Sequence, residues 1–292
     1  LGNANDLLGR YFMEHPHARG GEIVSDKLAT SLSALPRMKR SQGQRFAAYV
    51  RLSEAEQRRQ GVLNSALSLA PRRHEGASPE LMRSLKAKLK HDLPSTRFWR
   101  TSYKRLKNAS TRAREQIDPW ASVWAVKQSR GERGLYAVIR AEQAPNAASR
   151  IRLSARKDRF GLPLADLDWR FCELDKRSVK ALMQTLKTEY QRLGWGDVEV
   201  SAWLDDPSVN WKMDPLISSH PIGGYHHMGG TRMASHPSAG VVDANCRMFE
   251  SPNLYIASSS VFPTGGWANP TLTIIALAER LAVHLLEKRN AK

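Results

Sequence analysis

Between positions 179 and 193, apolar residues recur at three- and four-residue spacing, so that Val179, Leu182, Met183, Leu186, Tyr190 and Leu193 share one helical face. The spacing predicts an amphipathic helix, with Asp175 placed to cap its start and Gly194 to end it. A second helix is expected from Pro270 to about Lys288. There Ile274, Ile275, Leu277, Ala278, Leu281 and Leu285 make the first half apolar on most sides, which implies burial. Thinner apolar stripes over residues 52–69 and 80–91 read as peripheral helices, the second through Leu81, Leu85 and Leu89. Elsewhere the pattern alternates. Val123 to Val126, Leu135 to Ile139, Ser149 to Leu153 and Leu164 to Phe171 read as antiparallel strands of a sheet with one solvated face. Turns are expected at Gln143-Ala144-Pro145-Asn146 and at Asp158-Arg159-Phe160-Gly161-Leu162-Pro163. Asn253 to Ala257 reads as a short apolar strand leading into Ser258-Ser259-Ser260. The first 20 residues read as irregular or briefly helical, because Pro16 stops a long helix.

At about residue 213 the composition shifts from charged to glycine-rich, with pairs at Gly223-Gly224, Gly229-Gly230 and Gly265-Gly266. The shift sets an expected domain boundary there, and a chain of 292 residues suits two domains. No apolar run approaches the roughly 18 residues that cross a bilayer, so a soluble protein is expected. The chain starts at Leu1 and its first residues lack the layout of a secretory signal; the start is expected to be a cut within a longer chain. Cys172 and Cys246 have no CxxC partner, which excludes a disulfide framework or thiolate metal site and leans toward a reducing, cytoplasmic setting.

The formal net charge of +17 is concentrated in one place. Residues 36–114 hold 20 Lys/Arg against 5 Asp/Glu, whereas residues 213–292 hold 6 against 5. Two readings stay open for the basic segment. It is either a solvated Arg-rich surface or a polyanion-binding face, and the absence of a recognisable nucleic-acid motif favours the former.

Candidate chemistry lies in the glycine-rich part. Tyr225-His226-His227-Met228-Gly229-Gly230-Thr231 sets two imidazoles beside glycines, where the backbone leaves room for a bulky or flat molecule. A histidine there serves either as an acid–base group, its ordinary pKa being near neutral, or as a hydrogen-bonded structural residue. His220, His226, His227 and His236 match no common zinc spacing, so no metal is expected. Asn269-Pro270-Thr271 is a helix start in which Asn269 serves as the N-cap, or in which the exposed helix terminus receives an anion.

Taken in order, these segments resemble the glucose–methanol–choline oxidoreductases, flavin enzymes that oxidise alcohols and sugars. His227-Met228-Gly229-Gly230-Thr231 is similar to the family's H-x-x-G-T segment, and Asn269 falls where the family places a second catalytic His or Asn. Gly240-Val241-Val242-Asp243, Asn253 to Ala257, and Asp6 to Pro16 resemble further family segments, the last just ahead of its substrate domain. The resemblance implies an α/β flavoprotein fragment: residues 1–20 from the FAD-binding domain, 21–212 an α+β substrate domain on an antiparallel sheet, and 213–292 a segment completing the FAD domain. It implies FAD as cofactor, hydride transfer from an alcohol carbon to flavin N5, His227 as base, and Asn269 as hydrogen-bonding partner. Ser258, Ser259, Asn269, Pro270 and Thr271 then face the cofactor, and Ser258 stands where relatives often carry Asp or Gly near the pyrophosphate. The G-x-G-x-x-G turn that binds the ADP half of FAD does not occur in the sequence. Tight FAD binding is therefore expected to need a preceding segment or a separate subunit, unless the chain is an inactive remnant or a basic binding module.

Overall fold

A computed structural model describes residues 2–35, 39–41, 44–74, 101, 105, 133–214 and 224–291. The chain builds β1 (His17–Val24), α1 (Leu28–Ala34), β2 (Lys39–Ser41), β3 (Gln44–Phe46), β4 (Val50–Arg51), α2 (Glu54–Gln60), β5 (Ala66–Arg73) and β6 (Arg133–Arg140). It continues with β7 (Arg150–Lys157), β8 (Pro163–Asp168), α3 (Glu173–Arg192), β9 (Asp197–Val200) and α4 (Thr271–Asn290). The result is a mixed architecture of helices and antiparallel sheets. Among the described residues, no helix is long and apolar enough to cross a membrane.

The main sheet has the order β4-β5-β6-β1-β9, and its pairings are all antiparallel. Its apolar face carries Leu67, Leu69, Leu135, Ala137, Ile139 and Val198, which pack with Val179, Leu182, Met183, Leu186 and Tyr190 of α3. The three-and-four spacing of α3 thus serves to cover one side of a sheet whose own residues alternate with period two. Each such large side chain taken out of water contributes roughly 1.5–3 kcal/mol of burial. The start of α3 is held by Asp175, which accepts the Cys172 N–H at 2.8 Å and the Ala144 N–H at 2.7 Å. Cys172 is therefore the N-cap, and Asp175 acts from the third helical position. Gly194 follows the helix in a left-handed conformation, as expected.

Several expectations need correction. Residues 52–69 are not one helix. Helix α2 ends at Gln60 against left-handed Gly61, and the chain turns into β5, where Ala66, Leu67, Leu69 and Ala70 are buried in the sheet. A run rich in Leu and Ala satisfies helical and strand periods alike, and the sheet's core decided between them. The first 20 residues are irregular only to Pro16; His17 opens β1 between β6 and β9. Strand β6 pairs with β1 and β5, while β7 pairs with β8 in a separate ribbon on which Leu153, Phe160 and Leu162 are exposed. Helix α4 has the expected extent without the expected burial. Ile274, Leu277 and Leu281 pack inward, but Leu272 is 79% exposed and Ile275 50%. Asn253 to Ala257 forms isolated pairings, such as Arg247 with Tyr255, and no continuous strand. The expected helix at 80–91, the strand at 123–126, much of the basic segment, and His220 lie outside the described residues.

A second core joins Met13 to the carboxy-terminal part through Met228, Val241, Val242, Cys246, Met248, Val261, Phe262 and Leu281. This cluster fixes the segment before β1 against the glycine-rich region, and it positions the site.

Candidate active site

The segment ahead of β1 lies antiparallel to residues 228–230. Met13 and Met228 exchange both backbone hydrogen bonds, at 3.0 and 2.9 Å, and the Gly9 N–H donates to the Gly230 carbonyl at 2.7 Å. The approach is close enough that a Cβ on Gly229 would lie 2.0 Å from the Tyr11 carbonyl oxygen, and Gly229 has φ +90°. Only glycine meets both conditions without displacement. The pairing sets Glu14 beside His226 and His227.

Glu14 is completely buried. One carboxylate oxygen, Oε1, accepts the His226 N–H at 2.5 Å, and Oε2 accepts the His15 N–H at 2.8 Å. Burial pushes the carboxyl up to about 7, against the pull of the backbone N–H groups of His15, His226, Gly224 and Tyr225. His227 Nε2 lies 3.4 Å from Glu14 Oε1, while the imidazole side chain is 54% exposed. The Phe12 ring packs at 5.5 Å from the His227 ring, and Ser259 Oγ donates to the His227 carbonyl at 2.7 Å. His227 is thus held at its backbone and beside the Glu14 carboxylate, with its side chain about half exposed.

Three further imidazoles surround this point. The buried His15 ring packs edge-on against His226 with centroids 5.0 Å apart. Burial holds His15 and His17 down to about 4, with Arg140 and His226 adding charge repulsion. His226 is lowered by the same causes, burial first and then the charges of Arg140 and His227. These three rings are neutral near neutral pH.

The loop ahead of α4 reaches Met228, Glu142 and Arg140. A Cβ on Gly265 would lie 3.1 Å from Met228 Cε, so this loop packs on the side chain of the residue after His227; Gly266, at φ +60°, faces open space. The Gly266 N–H donates to Glu142 Oε1 at 3.3 Å. Asn269 is exposed, and its Oδ1 accepts from Arg140 Nη1 at 2.7 Å. The expected N-cap role passes to Pro270. The first intrahelical bond runs from the Ile274 N–H to the Pro270 carbonyl, and no side chain caps the helix. Asn269 is drawn off because the Arg140 cation competes for its oxygen. Thr271 is exposed at the first helical position. Ser258 caps the short turn Ser259–Val261 by accepting the Ser260 N–H at 3.2 Å.

The site therefore brings His227 together with Ser259, and Asn269 together with Arg140. Arg140 also reaches the His226 and His15 side through its charge. Sequence reading passed over Glu14 and Arg140. The motif Glu14-His15-Pro16 stood in view, but its carboxylate acquires a role only through the pairing of residues 9–13 with 228–230. Among the described residues, no group of three or more potential metal ligands occurs.

Residues 145–278 match the family model described as GMC oxidoreductase. The chain is 45% identical over 69 residues to a cholesterol oxidase of Acinetobacter baumannii, a match covering 22% of this chain and 12% of that protein. It is 28% identical over 138 residues to the paromamine 6'-oxidase of Streptomyces fradiae, covering 47% and 23% respectively. These matches thus span less than a quarter of either relative's length. The crystal structure of pyridoxine 4-oxidase from Mesorbium loti superposes with a TM-score of 0.45 at 13% identity, over 95% of this chain and 43% of that one.

Proposed function

Because residues 145–278 match the GMC oxidoreductase family model, we propose that the site of this chain serves flavin-dependent oxidation of a CH–OH group, with His227 as the base toward the substrate hydroxyl. One observation carries the reading: a half-exposed imidazole lies 3.4 Å from a buried carboxylate, and the loop that leads to α4 packs through Gly265 on the adjacent Met228. The substrate class is an alcohol, polyol or sugar.

The residues present fit a flat group bearing negative charge. The first turn of α4 has no side-chain cap, so the N–H groups from Thr271 onward and the positive end of the helix dipole stand open just after Asn269 and Pro270. Space beside Gly266 is unfilled. Ser258 keeps its O–H as a donor because its oxygen accepts from Ser260, and Ser259 lies next to the His227 carbonyl. These residues would hold the flavin end of FAD. The ADP half is assigned to a segment or chain beyond these residues, since the sequence has no G-x-G-x-x-G turn.

When bound, FAD supplies the acceptor for the hydride leaving the alcohol carbon. His227 takes the hydroxyl proton, a role suited to an imidazole because its ordinary pKa lies close to neutral. Asn269, its oxygen engaged by Arg140, offers its amide N–H groups to the substrate oxygen. Neutral His15, His17 and His226 keep further positive charge from crowding the base. The test is anaerobic bleaching of the visible flavin absorbance in the loaded protein by a panel of alcohols and sugars. His227→Ala is expected to slow bleaching by at least about 10²-fold. An undiminished rate in that variant sinks the assignment.

A further inference from the structure

Glu14 carries out no step in the reading above, yet it is the carboxylate most completely enclosed by the site. It is 0% exposed, and both of its oxygens are committed to backbone donors, Oε1 to His226 and Oε2 to His15. Tying two peptide N–H groups together needs only a neutral acceptor. A buried carboxylate is the expensive way to do it, because an ionised group withdrawn from water carries a desolvation penalty of several kcal/mol. The geometry adds what a neutral acceptor lacks. The same Oε1 that holds the His226 N–H lies 3.4 Å from His227 Nε2.

We propose that Glu14 is the positioning residue for His227: its carboxylate holds the imidazole in one orientation and stabilises the positive charge that the ring acquires on taking the substrate's proton. The inference rests on reading His227 as the base. In the step, the substrate O–H bond breaks, an N–H bond forms on the imidazole, and the electron pair stays on oxygen. Glu14 gains no proton; its negative charge balances the new imidazolium.

The other charged or titratable groups acting on the pair are His15 and His226 on the same two segments and Arg140 at the end of β6. Of these, only the Arg140 guanidinium brings positive charge to this side of the site; the two rings are neutral. Glu14 is the group that favours it. Burial pushes the Glu14 carboxyl up to about 7, so it carries the charge that this role needs on the alkaline side of neutral.

The experiment uses the full 292-residue chain with ¹⁵N-labelled histidine, and reads the His227 titration midpoint and tautomer by two-bond ¹H–¹⁵N spectra. In the wild type, His227 is expected as a single tautomer. In Glu14→Gln, its midpoint falls by at least about one unit, a tenfold loss of proton affinity, and both tautomers appear. Glu14→Asp restores part of the shift. An unchanged midpoint and tautomer in a Glu14→Gln chain that keeps the wild-type amide spectrum overturns the proposal. If Glu14→Gln does not fold, the wild type decides. The ¹³C carboxyl signal of Glu14 and the His227 ring must then show matching inflections over the same pH range, and an inflection at one group without its counterpart at the other overturns the link. The base reading fails separately: alcohol oxidation that survives His227→Gln removes it while leaving the Glu14–His227 link measurable.

Discussion

Arg140 Nη1 donates to Asn269 Oδ1 at 2.7 Å, so the last residue of β6 holds the side chain that stands just ahead of α4. A cation from the sheet thereby sets which end of the Asn269 amide faces outward. Replacing it by Arg140→Leu frees the amide to rotate and removes the charge that lowers His226 and His15. Two results are expected. The His226 and His15 midpoints rise in an NMR titration, and a double-mutant cycle with Asn269→Ala shows a coupling of about 1 kcal/mol in kcat/KM. Additive losses in that cycle would mean that Arg140 and Asn269 act independently.

Stability should depend on pH in two opposing ways. His15 and His17 are held near 4 in the fold against an ordinary value of 6.5. The unfolded chain therefore binds more protons between those limits. Their contribution is complete above about pH 6.5 and is lost as pH falls toward 4, by on the order of 3 kcal/mol for each ring. Glu14 runs the other way. Its folded value, about 7, lies above the ordinary 4.5, so its contribution is present at low pH and is lost as pH rises through 7. Urea denaturation across pH 4 to 7 should show a shallower acid-side loss in His15→Gln and a steeper one in Glu14→Gln. Identical slopes in all three proteins would contradict both assignments.

Parts of this arrangement are legible in the sequence, and the illegible parts share a cause. Helix α3 was plain because Val179, Leu182, Met183, Leu186 and Tyr190 repeat on one face and that face is the buried one. His227 and Asn269 stood out because glycines and a helix start flank them. Strand β5 was hidden because Leu67 and Leu69 fit either period until β6 claimed them. The side of α4 left exposed was also illegible, since hydropathy records what a side chain prefers and not what covers it. Glu14 was passed over for a related reason: its partner His226 is 212 positions away, and nothing local encodes the pairing that joins them.

Gly229 and Gly266 both have positive φ, and substitution should separate them. A Cβ on Gly229 meets the Tyr11 carbonyl at 2.0 Å, a clash of backbone with backbone that no rotamer change relieves. A Cβ on Gly266 meets nothing within 4 Å. Gly266→Ala is expected to cost only the conformational penalty of about 1–2 kcal/mol. Gly229→Ala adds the loss of the pairing between residues 9–13 and 228–230, and should lower Tm far more or prevent folding. Equal Tm values for the two variants would show that the segments can separate without consequence.

Asp175 offers a test of how firmly the substrate-side helix is anchored. Its carboxylate is buried and accepts N–H groups from Cys172 at the start of α3 and from Ala144 in the loop after β6. Burial raises its pKa, so part of the value of these bonds is spent on keeping the charge out of water. Asp175→Ala leaves two enclosed donors without an acceptor, at roughly 1–3 kcal/mol each, and opens a small void. Asp175→Asn keeps the shape and one acceptor oxygen but turns the other position into a donor facing a donor. The expected order of stability is wild type, then Asn, then Ala, with a total loss of about 2–5 kcal/mol in denaturant midpoints for Ala. Hydrogen exchange should localise the effect to the first turn of α3 and to residues near Ala144, because the apolar contacts of Leu182 and Met183 hold the middle of the helix in place. If Asp175→Ala instead loosens exchange uniformly along α3, the helix depends on its anchor more than on its buried face, and the packing account given for the sheet and α3 is wrong.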